Sequence, residues 1–305
     1  MSSTIGLDVG GTKVAAALLR GDDLSDPQIT PTNTSSSDDL LDQLVQAVED
    51  VRTDDTIAVG IGVPSVVEFA TGRIRYSVNI PLADLPLRKV LSDRVGLPVF
   101  VENDASCAAL AESHHGSPDL VMFTVGTGVG GGVVIGGRLF RGTTGAAPEL
   151  GHTIIAADCS DGGVGGDSFR EKFPQIGSLE ALAAGRELDR LARQLLGRED
   201  ATGRDAVEAA QRGDAAGIRA LRILGERLGI GIANAINTFD PSEVVIGGGV
   251  SAAGELLLGP AREVAQRFTL EGVGTETTIR LARRGAEAGV LGAALLAASE
   301  HQESA

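Results

Sequence analysis

Leu120-Val121-Met122-Phe123-Thr124-Val125-Gly126-Thr127-Gly128-Val129-Gly130-Gly131-Gly132-Val133-Val134-Ile135 is the stretch on which the fold turns. Residues 120–125 read as a buried strand, 126–132 as a glycine-rich turn and 133–135 as a returning strand. Gly126, Gly128 and Gly131 satisfy G-x-G-x-x-G, but the dinucleotide-binding form of that pattern must open a helix, and here a strand follows. The Walker A loop fails as well, since its lysine follows a glycine directly and Lys13 follows Thr12. A glycine turn between two strands can still hold phosphate. Its backbone adopts φ > 0 and aims successive N–H groups at an anion.

Working outward, the layout recurs. Residues 5–9 form a strand, Gly10-Gly11-Thr12 a turn and 14–19 a second strand, a β-hairpin that parallels the later one and suggests two related halves. A third glycine turn, Gly247-Gly248-Gly249, leaves strand 244–246. One such turn alone reads as a plain hairpin; three, each leaving an apolar strand, read as phosphate loops. Thr12 and Thr127 add hydroxyl donors. Asp8 ends the first strand, where a carboxylate can hold Mg²⁺ directly or through water or can cap the turn. Strand 98–101 runs into Glu102-Asn103-Asp104 and a helical stretch from 105 to 113. The carboxyl end of a buried strand is where α/β folds place ligands. Taken alone, Asp104 also suits the N-cap of that helix.

Apolar spacing predicts further helices over 40–48, 87–95, 178–196, 205–212, 214–238, 252–268 and 285–299. Segment 21–37 reads as a loop with an edge strand, and 77–81 as irregular. At 305 residues, two domains are expected: 1–117 with 285–305, and 118–284. The apolar fraction of 43% and charged fraction of 22% are those of an ordinary globular protein. A net charge of -15 argues against nucleic acid as a partner. Two cysteines, Cys107 and Cys159, make neither a disulfide framework nor a four-cysteine zinc site. The first residues show no basic n-region and no long apolar stretch, so neither a signal peptide nor a membrane anchor is expected, and the location is read as cytoplasmic.

Together these residues resemble the ROK family (repressors, open reading frames and sugar kinases). The resemblance is strongest from Val125 to Gly132, through Gly136-Gly137-Arg138 and Gly145, to Glu149-Leu150-Gly151-His152. Asp8-Val9-Gly10-Gly11-Thr12-Lys13 is similar to the family's first phosphate motif, Glu102-Asn103-Asp104-Ala105 to its catalytic segment, and Ile246-Gly247-Gly248-Gly249-Val250 to its adenosine motif. The resemblance implies an actin-like (ribonuclease H-like) two-domain α/β fold whose interdomain cleft closes over substrate. It implies ATP and Mg²⁺, with Gly10, Gly11, Thr12, Lys13, Thr127, Gly128, Gly247, Gly248 and Gly249 on the nucleotide and Asp8 on the metal. Asp104 becomes the general base that deprotonates the attacking sugar hydroxyl. Asn79, Asn103, Glu149, His152 and Glu180 join it as sugar ligands. The terminal helix is expected to pack on the first domain, and the protein to be a homodimer.

The sequence also departs from the family. Between His152 and Glu180 it has one cysteine, Cys159, where most members carry a zinc-binding cluster. A structural zinc needs four protein ligands, so none is expected there, and the 159–177 insert must be held otherwise. Ser65 replaces a second glycine after Gly62-Val63-Pro64. Both changes lie near the expected sugar site. The functional reading is phosphorylation of glucose to glucose 6-phosphate, with another hexose, an N-acyl amino sugar or a cyclitol as alternative substrates. A catalytically silent sugar sensor is the other class, against which Asp8 and Asp104 argue. A repressor would need a DNA-binding segment ahead of Ile5, where few residues stand. His114-His115 and the acidic tail are read as surface.

Overall fold

The computed structural model describes residues 2–77, 79–157 and 173–304. The chain forms two compact units, Met1–Pro118 with Gly132–Pro148 and Arg284–Ala305, and Asp119–Gly131 with Glu149–Arg283.

In the first unit, β1 (Ser3–Val9), β2 (Lys13–Arg20), β3 (Asp23–Leu24) and β4 (Gln28–Pro31) precede α1 (Ser37–Val51). Then come β5 (Thr56–Val63), β6 (Ser65–Glu68), β7 (Arg73–Ser77), α2 (Leu87–Val95), β8 (Val99–Asn103) and α3 (Asp104–Ser113). The sheet has the order β3-β2-β1-β5-β8, with β4 also paired to β2. β1, β5 and β8 are parallel, and their register sets Asp8 beside Gly62 and Gly62 beside Glu102. Their alternating apolar residues (Ile5, Leu7, Val59, Ile61, Val99 and Val101) are fully or nearly fully buried. Such near-continuous apolar strands are what a sheet covered on both faces requires. One face takes α1, through Leu40, Leu41, Leu44 and Val48.

In the second unit, β9 (Leu120–Val125) leads into β10 (Val129–Ile135), the strand in which the chain passes back to the first unit; there β11 (Arg138–Leu139) pairs antiparallel with the end of β10. A 3₁₀ turn at Leu150–His152 is followed by α4 (Leu179–Ala183), α5 (Gly185–Leu196), α6 (Gly203–Gln211) and α7 (Ala215–Phe239). β12 (Glu243–Gly247), α8 (Glu255–Phe268) and β13 (Thr278–Leu281) complete it, with β12 parallel to both β9 and β13. The chain ends in α9 (Ala288–Ser304).

α9 lies on the first sheet at distances that only glycine allows. A Cβ on Gly6 would stand 2.0 Å from the Val290 carbonyl oxygen, one on Gly60 1.8 Å from that of Ala293, and one on Gly292 1.7 Å from that of Cys107 in α3. The terminal helix therefore packs on the first unit, as expected.

Five local expectations differ. Val129–Gly132 is already strand, not turn: Gly131 lies under Leu150, whose side chain a Cβ would meet at 2.7 Å, while Gly132 lies against Ala109 and the Ala105 carbonyl. Glycine in a strand here marks close approach rather than a bend. Residues 65–77, where no strand was expected, hold the β6–β7 hairpin, and β13 went unforeseen. The expected boundaries keep 118–284 together, whereas contacts group Gly132–Pro148 with the first unit, where Arg141 pairs with Glu102 at 2.7 Å. The expected helix over 178–196 is two helices, α4 and α5, meeting at the extended Ala184.

Candidate active site

In the first unit, the carboxyl ends of β1, β5 and β8 collect the residues singled out from the sequence. β1 delivers Asp8 and the turn Gly10–Lys13, closed by Gly10 N–H donating to the Lys13 carbonyl at 2.8 Å. Thr32 braces this turn, its hydroxyl donating to the Gly10 carbonyl at 2.7 Å. Gly11, Thr12 and Lys13 are exposed, and Asn79 lies beside Gly11, where a Cβ would come within 3.4 Å of it. β8 delivers Asn103, and Asp104 opens α3.

The helix cap is Asn103 rather than Asp104. Its Oδ1 accepts from the N–H groups of Ala105 at 2.9 Å and Ser106 at 3.2 Å. Its amide donates to the Ser65 backbone carbonyl at 3.4 Å, which helps to seat it. With the cap supplied by its neighbour, Asp104 is released from that duty. One of its oxygens accepts from Ala105 N–H at 2.8 Å. Gly62 stands beside it: a Cβ there would lie 3.4 Å from the Asp104 Cα.

Burial raises the pKa of both carboxyls. Asp8 is pushed up to about 6, first by burial and then by the neighbouring Asp104 charge, with Lys13 pulling the other way. Asp104 is raised by burial, against the backbone N–H of Ala105. Both keep part of their surface open. A carboxylate whose pKa is raised by burial is a better proton acceptor than an ordinary one, as a general base requires. Beneath them, Glu102 is buried to 2% exposure and paired with Arg141, which also reaches Glu300 at 2.9 Å and stacks over Phe69 at 3.5 Å. This network was not foreseen; its signal was a glutamate inside an otherwise apolar strand.

In the second unit, the turn Gly126–Gly128 is tight, with Gly126 N–H donating to the Gly128 carbonyl at 2.9 Å. Glu180, held at the start of α4 by the Ser178 cap, accepts the Val129 N–H at 2.9 Å. Gly128 makes room for that carboxylate, which a Cβ would meet at 2.3 Å. Thr127 is exposed beside it. The Leu150–His152 turn lies on β10, where Gly151 leaves no space for a Cβ above the Val129 carbonyl. Glu149 and His152 face one another at 3.8 Å. Leu179 N–H donates to the Thr153 carbonyl at 2.9 Å, tying Glu180 to the segment that bears His152. Gly248, at φ 82°, packs on Val125, so Gly247–Gly249 flanks the same turn. Thus Asp8, Gly10–Lys13, Asn79, Asn103 and Asp104 gather in one unit, and Thr127, Gly128, Glu149, His152, Glu180 and Gly247–Gly249 in the other. Cys159 and most of the 159–177 insert lie outside the described residues.

Comparison with known proteins agrees along the whole chain. The model of the ROK family matches residues 4–300. A glucokinase of Streptomyces coelicolor is 35% identical over 97% of this chain and 98% of its own. The crystal structure of a ROK hexokinase from Thermus thermophilus is 37% identical, covers 99% of both chains and superposes with a TM-score of 0.81. That of a ROK family glucokinase from Streptomyces griseus, in complex with glucose and AMPPNP, is 33% identical with a TM-score of 0.80, covering 98% of this chain and 100% of the other. These matches carry the actin-like fold expected from the sequence, with an α/β sheet in each unit. The chain belongs to the ROK family, among its glucokinase-like sugar kinases.

Proposed function

We propose that this protein transfers the γ-phosphoryl group of ATP to a hydroxyl of a hexose, glucose first, with Asp104 as the general base. The observation that carries this reading is the Asp104 carboxyl at the mouth of β8: beside a helix cap supplied by Asn103, engaged by the Ala105 N–H, partly exposed, and raised in pKa by burial. An alcohol is a poor nucleophile at neutral pH, and a carboxylate that takes its proton as the new P–O bond forms contributes about 10²–10⁴ in rate. Asn79, Asn103, Glu149, His152 and Glu180 offer the acceptors and donors that fix a polyol. The Val129 N–H, donating to the Glu180 carboxylate, would tie this sugar ligand to the turn that would support the phosphates.

Asp8 fits Mg²⁺. Its carboxylate is crowded by Gly289, where a Cβ would stand 2.5 Å away, and burial together with the neighbouring Asp104 charge raises its pKa, a setting in which a bound cation is favoured. Asp8 would hold the ion that travels with the nucleotide and neutralises phosphate charge.

Asp104→Asn tests the assignment. Coupled ADP release should fall by at least about a hundredfold, while glucose binding measured by calorimetry persists. Near-parental turnover would remove Asp104 from the role. A panel of glucose, mannose, fructose, N-acetyl amino sugars and inositol, with and without Mg²⁺, tests the choice of acceptor, and a preference for an acetylated sugar would refute glucose.

A further inference from the structure

Away from the candidate active site, three metal-ligating side chains of the first unit meet at one point. Asp22 occupies the tip of the β2–β3 hairpin: Arg20 pairs with Asp23, which leaves Gly21 and Asp22 as a two-residue loop, and Gly21 takes φ 61°. Such a short loop fixes the place of its side chain. His114 and His115 follow α3. The His114 N–H donates to the Leu110 carbonyl at 3.1 Å, and the Gly116 N–H to that of Ser113 at 2.9 Å. Between these two anchors His115 sits at φ 57°, a left-handed conformation uncommon outside glycine. Backbone strain of this kind concentrates at functional positions.

The result is convergence. His114 Nε2 lies 3.2 Å and His115 Nε2 2.9 Å from the same oxygen, Asp22 Oδ1, and the ring centroids are 3.9 Å apart. All three donor atoms fall within 4.8 Å of one another. Ligands bound at 2.0–2.1 Å to a tetrahedral ion stand about 3.3 Å apart. Two edges of that figure are therefore nearly in place, and a small rotation of a ring closes the third. Two imidazoles and one carboxylate suit zinc and its first-row neighbours, whereas Mg²⁺ and Ca²⁺ want oxygen alone. Side-chain exposures of 69% for Asp22, 59% for His115 and 26% for His114 let a hydrated ion enter and keep water on the remaining positions. A cation is also favoured by the carboxyl end of α3, the negative pole of its dipole, and by the chain's net charge of -15.

We propose that Asp22, His114 and His115 form a binding site for a first-row divalent transition metal, zinc first, which clips the β2–β3 hairpin to the carboxyl end of α3. The site is independent of the kinase reading and separate from the family's cysteine element. Because α3 begins at Asp104 and ends at the clip, an ion there restrains the helix that carries the proposed base.

Calorimetric titration of the full chain, free of any polyhistidine tag, with Zn²⁺ should reveal one saturable site per chain, not competed by millimolar Mg²⁺. Co²⁺ in its place should give visible absorption of a low-symmetry nitrogen–oxygen site. His115→Asn keeps a residue that tolerates the left-handed backbone. It should weaken zinc binding at least about tenfold, as should Asp22→Asn, since even outer-sphere partners of a metal matter by that factor. The parent should gain roughly 3–6 °C in melting temperature at a hundredfold excess of zinc over its Kd, and both variants should lose that gain. Cys159→Ser should bind zinc as the parent does. Absence of saturable binding, equal affinity in the parent and both variants, or loss of the site in Cys159→Ser would each overturn the proposal.

Discussion

Gly128→Ala is a one-methyl test of whether the proposed phosphate turn and the proposed sugar ligand Glu180 act together. The new Cβ would stand 2.3 Å from Glu180 Oε2 and 3.0 Å from its Cδ. The obstructing group is the end of a flexible side chain, so the carboxylate swings aside and the backbone stays put. What is lost is its 2.9 Å bond from Val129 N–H. A hydrogen bond to a charged acceptor is worth about 1.5–3 kcal/mol. At 1.4 kcal/mol per factor of ten, kcat/KM for the sugar should fall by about 10–150-fold. Coupled ADP release with sugar and ATP varied separately measures it. Gly126→Ala is the comparison, because a Cβ there meets nothing within 4 Å and leaves Glu180 in place. Gly128→Ala combined with Glu180→Ala should be no worse than Glu180→Ala alone, since the methyl acts by moving a group already removed. If Gly128→Ala keeps kcat/KM within twofold of the parent, or if the two losses multiply, Glu180 does not work through this contact.

Three further outcomes are expected. Asp8 holds its proton up to about pH 6, against 3.8 for the ordinary group, so its contribution to stability is present below pH 4 and lost as pH rises through 6. Asp8→Asn should match the parent near pH 4 and exceed it by up to about 3 kcal/mol at pH 7 in urea melts, while Mg²⁺-dependent turnover drops; a difference that does not grow over that interval would contradict the assignment. Gly292→Ala drives a Cβ into the Cys107 carbonyl, a backbone atom that cannot swing away, and should destabilise by about 3 kcal/mol or more, read as a clear fall in melting temperature. Arg141→Met leaves the Glu102 carboxylate buried without its cation and should destabilise by about 3–5 kcal/mol. Adding Glu102→Leu to that variant should recover most of the loss, and failure to do so would mean that Arg141 matters through its packing on Phe69 instead.

Much of this was legible in the sequence because strands flanking glycine turns leave a local record. The hairpins at Asp8–Lys13 and Val125–Gly132, the strand end at Glu102–Asp104 and the helical spacing of Leu221, Leu224, Leu228 and Ile232 can all be read within a window of a few residues. What depends on distant partners could not be. Gly131 and Gly132 look like turn residues until Leu150 and Ala109 are seen lying on them. Asp104 looks like a helix cap until the Asn103 side chain is seen to accept both N–H groups. Glu102 gives no hint of Arg141, 39 residues on, nor His115 of Asp22, 93 residues back. The β6–β7 hairpin escaped because its strands are only four and five residues long, too short for a periodic pattern to stand out.

The seam between α9 and the first sheet also bears on how the polypeptide is made. β1 is synthesised before α9, so one face of that sheet waits while the residues between them are read. At about 5–20 residues per second the interval is roughly 15–60 s. During it Gly6 and Gly60 present bare backbone where a helix belongs, a surface that a nascent chain must keep from neighbours until α9 emerges. Premature termination anywhere before residue 288 would leave that slot permanently empty, and such fragments should be prime clients for chaperones and proteases.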